Sequence, residues 1–163
     1  WADEGIVRLL YVSSVKQYKH QWHLIESVGR LRQMGHAIAL HLIGAADPPA
    51  LKRMHQAIGC CSEGVSSVHY HGALSHSETL QWHIKSDIFV FPSSCETFGI
   101  SLLEAMAASL PIACSNRGPM PEILKDGGLY FNPESVESIA PCIKPLPSQI
   151  PNISSSALPP HSP

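Results

Sequence analysis

The sequence predicts an α/β fold in which a parallel sheet is covered by helices on both faces. Short apolar runs rich in β-branched and aromatic residues alternate with longer helical patterns through most of the chain. The central runs, such as Ile88-Phe-Val-Phe91, are apolar at consecutive positions rather than at every second one. Strands buried on both faces read that way. Glycine, proline or serine stands at the joints between runs, and the alternation of strand and helix is the pattern of a helix-covered parallel sheet.

Each element has its own signal. Residues 8–14 (Arg-Leu-Leu-Tyr-Val-Ser-Ser) read as a buried strand, and 20–34 as a helix with Leu24, Ile25, Val28 and Leu31 on one face and Gly35 as C-cap. Residues 38–43 form the second strand, closed by Gly44. Pro48 and Pro49 open a second helix that runs to about Cys60, since proline suits a first turn. The third strand covers 65–70 and ends at Gly72. Ser75 caps the third helix, with Glu78 three residues on completing a capping-box pattern. Residues 88–91 are the fourth strand, 98–109 the fourth helix and 111–115 the fifth strand. A short helix near 121–125, a strand near 129–131 and a helix opening at Pro133-Glu-Ser-Val-Glu137 complete the series. Residues 144–163 hold six Pro and five Ser without periodicity and read as an irregular tail.

At 163 residues the chain is long enough for one domain with a real core, and it is 44% apolar and 15% charged. A formal net charge of −2 gives no basic field for nucleic acid. Five cysteines, odd in number and without a Cys-x-x-Cys pair, read as reduced, mostly buried thiols of a cytosolic protein. The longest apolar stretch, 37–46, is interrupted by His41 and is too short to span a bilayer, so membrane contact is expected to be at most peripheral.

On such sheets ligands bind beyond the carboxyl ends of the strands. The loops 14–20, 44–48, 71–76, 92–99 and 115–121 are therefore the ones to inspect. In the first, Lys16 and Lys19 lie beside a helix start. They are either a solvated pair or a cationic site for a pyrophosphate, which both lysine and helix N-terminus favour. In the fourth, Glu96 precedes the helix and Gly99 stands at its first turn, where a ligand can approach backbone N–H groups closely. Glu104 follows eight residues after Glu96. Carboxylates accept hydrogen bonds from vicinal diols. Glu104 is either an exposed helix residue or a ligand contact; its apolar neighbours Leu102, Leu103, Ala105, Met106 and Ala107 predict a largely buried helix, on which an unpaired carboxylate is costly. No metal is expected, because the pairs His69/His71 and His20/His23 lack carboxylate or thiolate partners at ligand spacing. Ser93 and Ser94 have no assignable base and no Gly-x-Ser-x-Gly elbow, and neither a Gly-x-Gly-x-x-Gly turn after the first strand nor a Walker loop is present.

The segment Val90-Phe-Pro-Ser-Ser-Cys-Glu-Thr-Phe-Gly-Ile-Ser-Leu-Leu-Glu-Ala-Met-Ala-Ala-Ser-Leu-Pro-Ile112 resembles the donor-site signature of retaining glycosyltransferases of the GT-B, family-4 type (glycosyl transferases group 1). Tyr18-Lys-His-Gln21, the Gly72 turn, Arg117-Gly-Pro-Met-Pro-Glu-Ile-Leu124 and Gly127-Gly-Leu-Tyr-Phe-Asn-Pro133 extend the resemblance over about residues 8–139. It implies a Rossmann-like domain, the C-terminal half of a GT-B fold, that binds the nucleotide-sugar donor. Lys19 would hold the pyrophosphate, with Lys16 as a second cation; Glu96 with Phe98, Gly99 and Ile100 the donor sugar and phosphate; Glu104 the ribose hydroxyls. The donor would be a UDP- or GDP-sugar, the acceptor a carbohydrate or lipid-linked acceptor, and no metal or other cofactor is implied.

Three departures stand out. Ser13 and Ser14 occupy the place of the family's Gly-Arg pair. The family's acceptor-binding N-terminal domain is expected to be missing, with residues 1–7 read as the remnant of an interdomain linker. The closing helices give way to the tail at 144–163, so that 8–143 is the domain proper and a truncated or frameshifted reading would explain both ends. The expected role is hexosyl transfer in polysaccharide biosynthesis in the cytoplasm, with the fragment itself inactive. The alternatives are a non-catalytic module of this fold with a decayed donor site and, less favoured by the 96–111 segment, a phosphorylase or epimerase.

Overall fold

The computed structural model describes residues 5–61 and 67–144. Residues 1–4 of the expected linker remnant, residues 65–66 of the expected third strand and the expected tail beyond Lys144 lie outside these residues.

Six parallel strands form one sheet: β1 (Val7–Val12), β2 (Ile38–Ile43), β3 (Val68–Tyr70), β4 (Ile88–Phe91), β5 (Ile112–Ser115) and β6 (Leu129–Phe131). Their order is β3-β2-β1-β4-β5-β6. The helices α1 (Gln21–Gln33), α2 (Pro48–Cys61), α3 (His76–Lys85), α4 (Ile100–Ala107), α5 (Met120–Leu124) and α6 (Val136–Ile143) alternate with them. Every residue of β4 and β5 is buried, which requires cover on both faces of the sheet. On one side α1 packs between α2 and α6; α3 and α4 pack against each other and onto β1 and β4. The core between them is built from residues such as Leu9, Tyr11, Leu24, Leu40, Phe89 and Phe91.

The turn chemistry acts as the sequence implies. Gly35 takes φ +89, its N–H donates to Arg32 O at 2.9 Å, and the His36 N–H reaches Leu31 O at 3.0 Å, which together end α1 in a Schellman motif. At α3 the Glu78 N–H donates to Ser75 Oγ at 3.3 Å and the Ser75 N–H to Glu78 Oε2 at 2.9 Å, the reciprocal capping box.

Three expectations are corrected. The fourth helix begins at Ile100 rather than 98, because Gly99 adopts φ +62 and serves as N-cap. That helix is also not largely buried. Leu102 and Ala105 face the core, whereas Ile100 and Leu103 are 71% and 46% exposed, since eight residues covering one sheet face can bury only one stripe. The cysteines are not mostly buried either: Cys114 is buried in β5, Cys61 and Cys142 are intermediate, and Cys60 and Cys95 are exposed.

Gly44, just after β2, supports the ligand face. At φ +145 it runs so close to the β1 loop that a β-carbon there would lie 2.1 Å from Ser13 O. The loops are held together by Ser13 N–H to Ile43 O (2.8 Å) and Val15 N–H to Ala45 O (2.8 Å).

Candidate functional site

The strand order reverses direction between β1 and β4: the chain moves outward to β2 and β3 on one side and to β5 and β6 on the other. The loops leaving β1 and β4 therefore diverge and open a crevice at the carboxyl ends of the strands. A cleft of about 430 Å³ occupies this place, lined by Val12, Ser13, Ser14 and Lys19 from the β1 side and by 96–101 and Glu104 from the β4 side. Of the residues singled out in sequence, Lys19, Glu96, Phe98, Gly99, Ile100 and Glu104 are brought together here. Lys16 is exposed and stands outside the lining. A larger groove of about 560 Å³ runs along α1 and α2, with Arg53 stacked 3.8 Å over the Trp22 ring, and shares no lining residue with the cleft.

Lys19 sits on a single 3-10 turn, Gln17–Lys19, just before α1, and its side chain is 9% exposed. Its carbonyl accepts a hydrogen bond from the buried Tyr11 hydroxyl at 3.0 Å, which fixes the turn to β1. Burial pushes the Tyr11 phenol well above its ordinary range, so it stays a donor. The Lys19 ammonium forms an ion pair with Glu96, whose side chain is 16% exposed. One carboxylate occupies one of the ammonium's three N–H donors and leaves the others for a ligand.

Gly99 caps α4 in the left-handed conformation, and the first helical amide with an internal partner is Leu102, donating to Gly99 O at 2.8 Å. The amides before it, at the positive end of the helix dipole, face the cleft end of α4, where an anion is stabilised. Glu104, one turn further along, lines the same cleft with its side chain 22% exposed; His76 Nδ1 of α3 lies 3.5 Å from its Oε1. The site thus sets one cation and a helix N-terminus between two carboxylates. It can hold a ligand with an anionic centre and hydroxyl groups on either side.

The histidines take other roles. His41, His69 and His71 stack at the β2–β3 edge beneath Trp82, with ring centroids 5.0 Å apart for His41–His69 and 4.3 Å for His41–Trp82. His41 Nδ1 meets His71 Nε2 at 3.0 Å. Stacked rings do not aim their lone pairs at a common point, and among the described residues no three of His, Cys, Asp or Glu could hold a metal ion. Burial, together with His69 and His71, lowers the His41 pKa to about 4.

Sequence reasoning missed one contact at the cleft. Ser94 does have an imidazole partner: His20 Nε2 lies 2.8 Å from its Oγ. The pair is not a nucleophile and its base, because the Ser94 hydroxyl donates to Tyr18 O at 3.2 Å and so accepts from the imidazole. A histidine directly after the lysine, at a helix start, was the available signal.

The family model for glycosyl transferases group 1 matches residues 2–147. The chain belongs to this family. Among curated relatives, the Escherichia coli O-antigen chain mannosyltransferase B is 34% identical over 73 residues, 45% of this chain and 19% of that protein. Glycogen synthase of Mycobacterium tuberculosis is 28% identical over 146 residues, covering 86% of this chain and 34% of the enzyme. The chain therefore spans 19% and 34% of these two relatives' length. The fold matches GT-B structures: Anabaena HepE, solved in complex with UDP and glucose, superposes at TM-score 0.73 with 21% identity, over 84% of this chain and 37% of that one. The C-terminal domain of the glycosyl transferase group 1 protein LpcC from Francisella tularensis superposes at 0.71 with 25% identity, over 83% and 72%. Among the described residues no helix is long and apolar enough to cross a membrane.

Proposed function

We propose that this chain is the donor-binding part of a retaining, family-4 type hexosyltransferase, which moves a hexosyl group from a nucleoside diphosphate sugar to a carbohydrate or lipid-linked acceptor. The observation that carries the reading is the convergence of Lys19, Glu96, the α4 N-terminus and Glu104 on one cleft at the sheet's switch point. The diphosphate sits between the Lys19 ammonium and the first amides of α4. Glu96 accepts hydrogen bonds from sugar hydroxyls, and Phe98, Gly99 and Ile100 form the wall beside it. Glu104 accepts from the ribose diol.

When the bond between the anomeric carbon and the phosphate oxygen breaks, charge accumulates on the departing diphosphate. Lys19 and the helix dipole stabilise that charge in the place a metal takes in other transferases. The acceptor would be brought by a further domain facing the cleft, and the chain alone binds donor weakly and transfers little. A cytoplasmic setting, with peripheral membrane contact when the acceptor is lipid-linked, fits this role.

Calorimetric titration with UDP- and GDP-sugars tests the reading. Saturable binding that weakens at least about tenfold in Lys19→Ala and in Glu104→Ala is expected, the loss of a charge-assisted hydrogen bond being worth ~1.5–3 kcal/mol. A second reading, a binding module with a decayed donor site, is favoured by one observation: Ser13 and Ser14 line the cleft where the family places Gly-Arg, which leaves Lys19 as the cation among the lining residues. On that reading both variants bind nucleotide as the parent does.

A further inference from the structure

We propose that His20 and Ser94 form a positioning pair for Lys19, tying the loop after β1 to the loop after β4 so that the ammonium is held at its distance from Glu96 and from a bound diphosphate. The inference rests on the donor-site reading above.

Ser94 grips the residues on both sides of Lys19. Its N–H donates to Tyr18 O at 2.9 Å, its hydroxyl donates to the same oxygen at 3.2 Å, and its Oγ lies 2.8 Å from His20 Nε2. Two residues later in the same loop comes Glu96, the partner of the Lys19 ammonium. The two loops leave strands that diverge from the switch point, and β1 and β4 pair directly only at Leu9–Ile88 and Leu10–Phe89. Beyond those positions the distance between the loops depends on contacts of this kind.

His20 carries two local costs for this bond. It sits at φ +54, a left-handed conformation that a glycine adopts without strain and that is unfavourable for residues with a β-carbon. Its ring is buried at 6% exposure, and with the proton on Nε2, as the Ser94 geometry requires, Nδ1 has no hydrogen-bond partner among the described residues. Packing alone does not need a nitrogen at that place. Burial and the neighbouring His23 lower the His20 pKa, which keeps the neutral, single-donor ring.

The test separates action through Lys19 from general support of the fold. Affinities for uridine diphosphate and guanosine diphosphate are measured by calorimetry for the parent chain, Ser94→Ala, Ser94→Thr, Lys19→Ala and the double variant Ser94→Ala/Lys19→Ala. Ser94→Ala is expected to weaken diphosphate binding about fivefold, the worth of one hydrogen bond near 1 kcal/mol. Ser94→Thr, which keeps the hydroxyl, restores it. In the Lys19→Ala background the serine change has no further effect, because the residue it positions is gone. Should Ser94→Ala fail to fold, His20→Gly removes the same bond while relieving the backbone and carries the same comparison.

Equal losses in both backgrounds would overturn the proposal, as would an unchanged affinity in Ser94→Ala alongside a weakened Lys19→Ala. If Lys19→Ala itself binds like the parent, the donor-site reading fails first and takes the positioning role with it.

Discussion

Replacing Gly44 by alanine tests whether the close approach of the β1 and β2 loops builds the ligand face. Two costs combine at this position. Its φ of +145 lies where L side chains are strained, at about 1–3 kcal/mol. The added β-carbon would also meet Ser13 O at 2.1 Å, Ser13 C at 2.5 Å and Ser14 N at 2.9 Å, all backbone atoms that cannot rotate aside. Main-chain displacement of this kind resembles overpacking, at about 1–3 kcal/mol. The sum, about 4 kcal/mol, is a large share of the ~5–15 kcal/mol typical of a domain. Gly35→Ala is the control: it shares a positive φ, +89, but has nothing within 4 Å of the new β-carbon, so it should cost about 1–2 kcal/mol. Urea unfolding followed by circular dichroism reads the difference. With a slope near 2 kcal/mol/M, Gly44→Ala should move the midpoint down by about 2 M and Gly35→Ala by less than about 1 M. Equal shifts would refute the claim that close backbone contact, rather than glycine conformation alone, holds these loops together.

Further outcomes follow from the same geometry. Ser75→Ala removes the side-chain acceptor of the α3 capping box, leaving the backbone N–H of residue 75 to donate to Glu78, and should cost about 1 kcal/mol in the same urea assay; a loss below about 0.3 kcal/mol would contradict its role. His41, held neutral in its imidazole stack, has a folded pKa of about 4 against an ordinary value near 6.5. The unfolded chain therefore binds more protons across that window, so the stability present above pH 6.5 is lost as the pH falls toward 4. A His41→Gln variant should show a shallower decline over this range, and identical slopes would remove His41 from the account. For the thiols, exposed Cys60 and Cys95 should react with an aromatic disulfide reagent in the native protein, while Cys114, buried and with its pKa pushed up to about 12, reacts only on unfolding. Because Cys95 adjoins Glu96, saturating nucleoside diphosphate should slow its labelling and leave that of Cys60 unchanged; equal protection of both would place the ligand elsewhere.

The fold was legible because its signals are local and redundant. Ser75 with Glu78, Pro48 with Pro49, Gly35 and the unbroken apolar runs of β4 and β5 each mark a boundary or a buried strand by themselves. What the sequence did not show is anything that depends on lateral placement. The order β3-β2-β1-β4-β5-β6 selects the β1 and β4 loops from five candidate loops, and no periodicity within a strand reports its neighbours. The same holds within the site. Lys19, Glu96 and Glu104 were recognisable by type and spacing, yet Lys16, three residues from Lys19, is exposed and stands outside the cleft: it precedes the 3-10 turn in extended backbone, whereas Lys19 closes the turn and is buried. His20 and Ser94 lie 74 positions apart, and only the meeting of two loops makes them partners. The exposure of Ile100 and Leu103 on α4 was misread for a related reason. Apolar residues all round a short helix do not reveal how many of its sides are covered.

The central claim is that the cleft between the β1 and β4 loops binds a nucleoside diphosphate sugar. Its most direct test is an amide chemical-shift titration of the chain with UDP- and GDP-sugars. The account predicts saturable shifts clustered at residues 13–19 and 96–104, with the amides of Ile100 and Ser101 at the α4 N-terminus among the largest and those along the α1–α2 groove unmoved. Saturable shifts centred on Trp22, Arg53 and Cys60, or none anywhere in a folded chain, would contradict it.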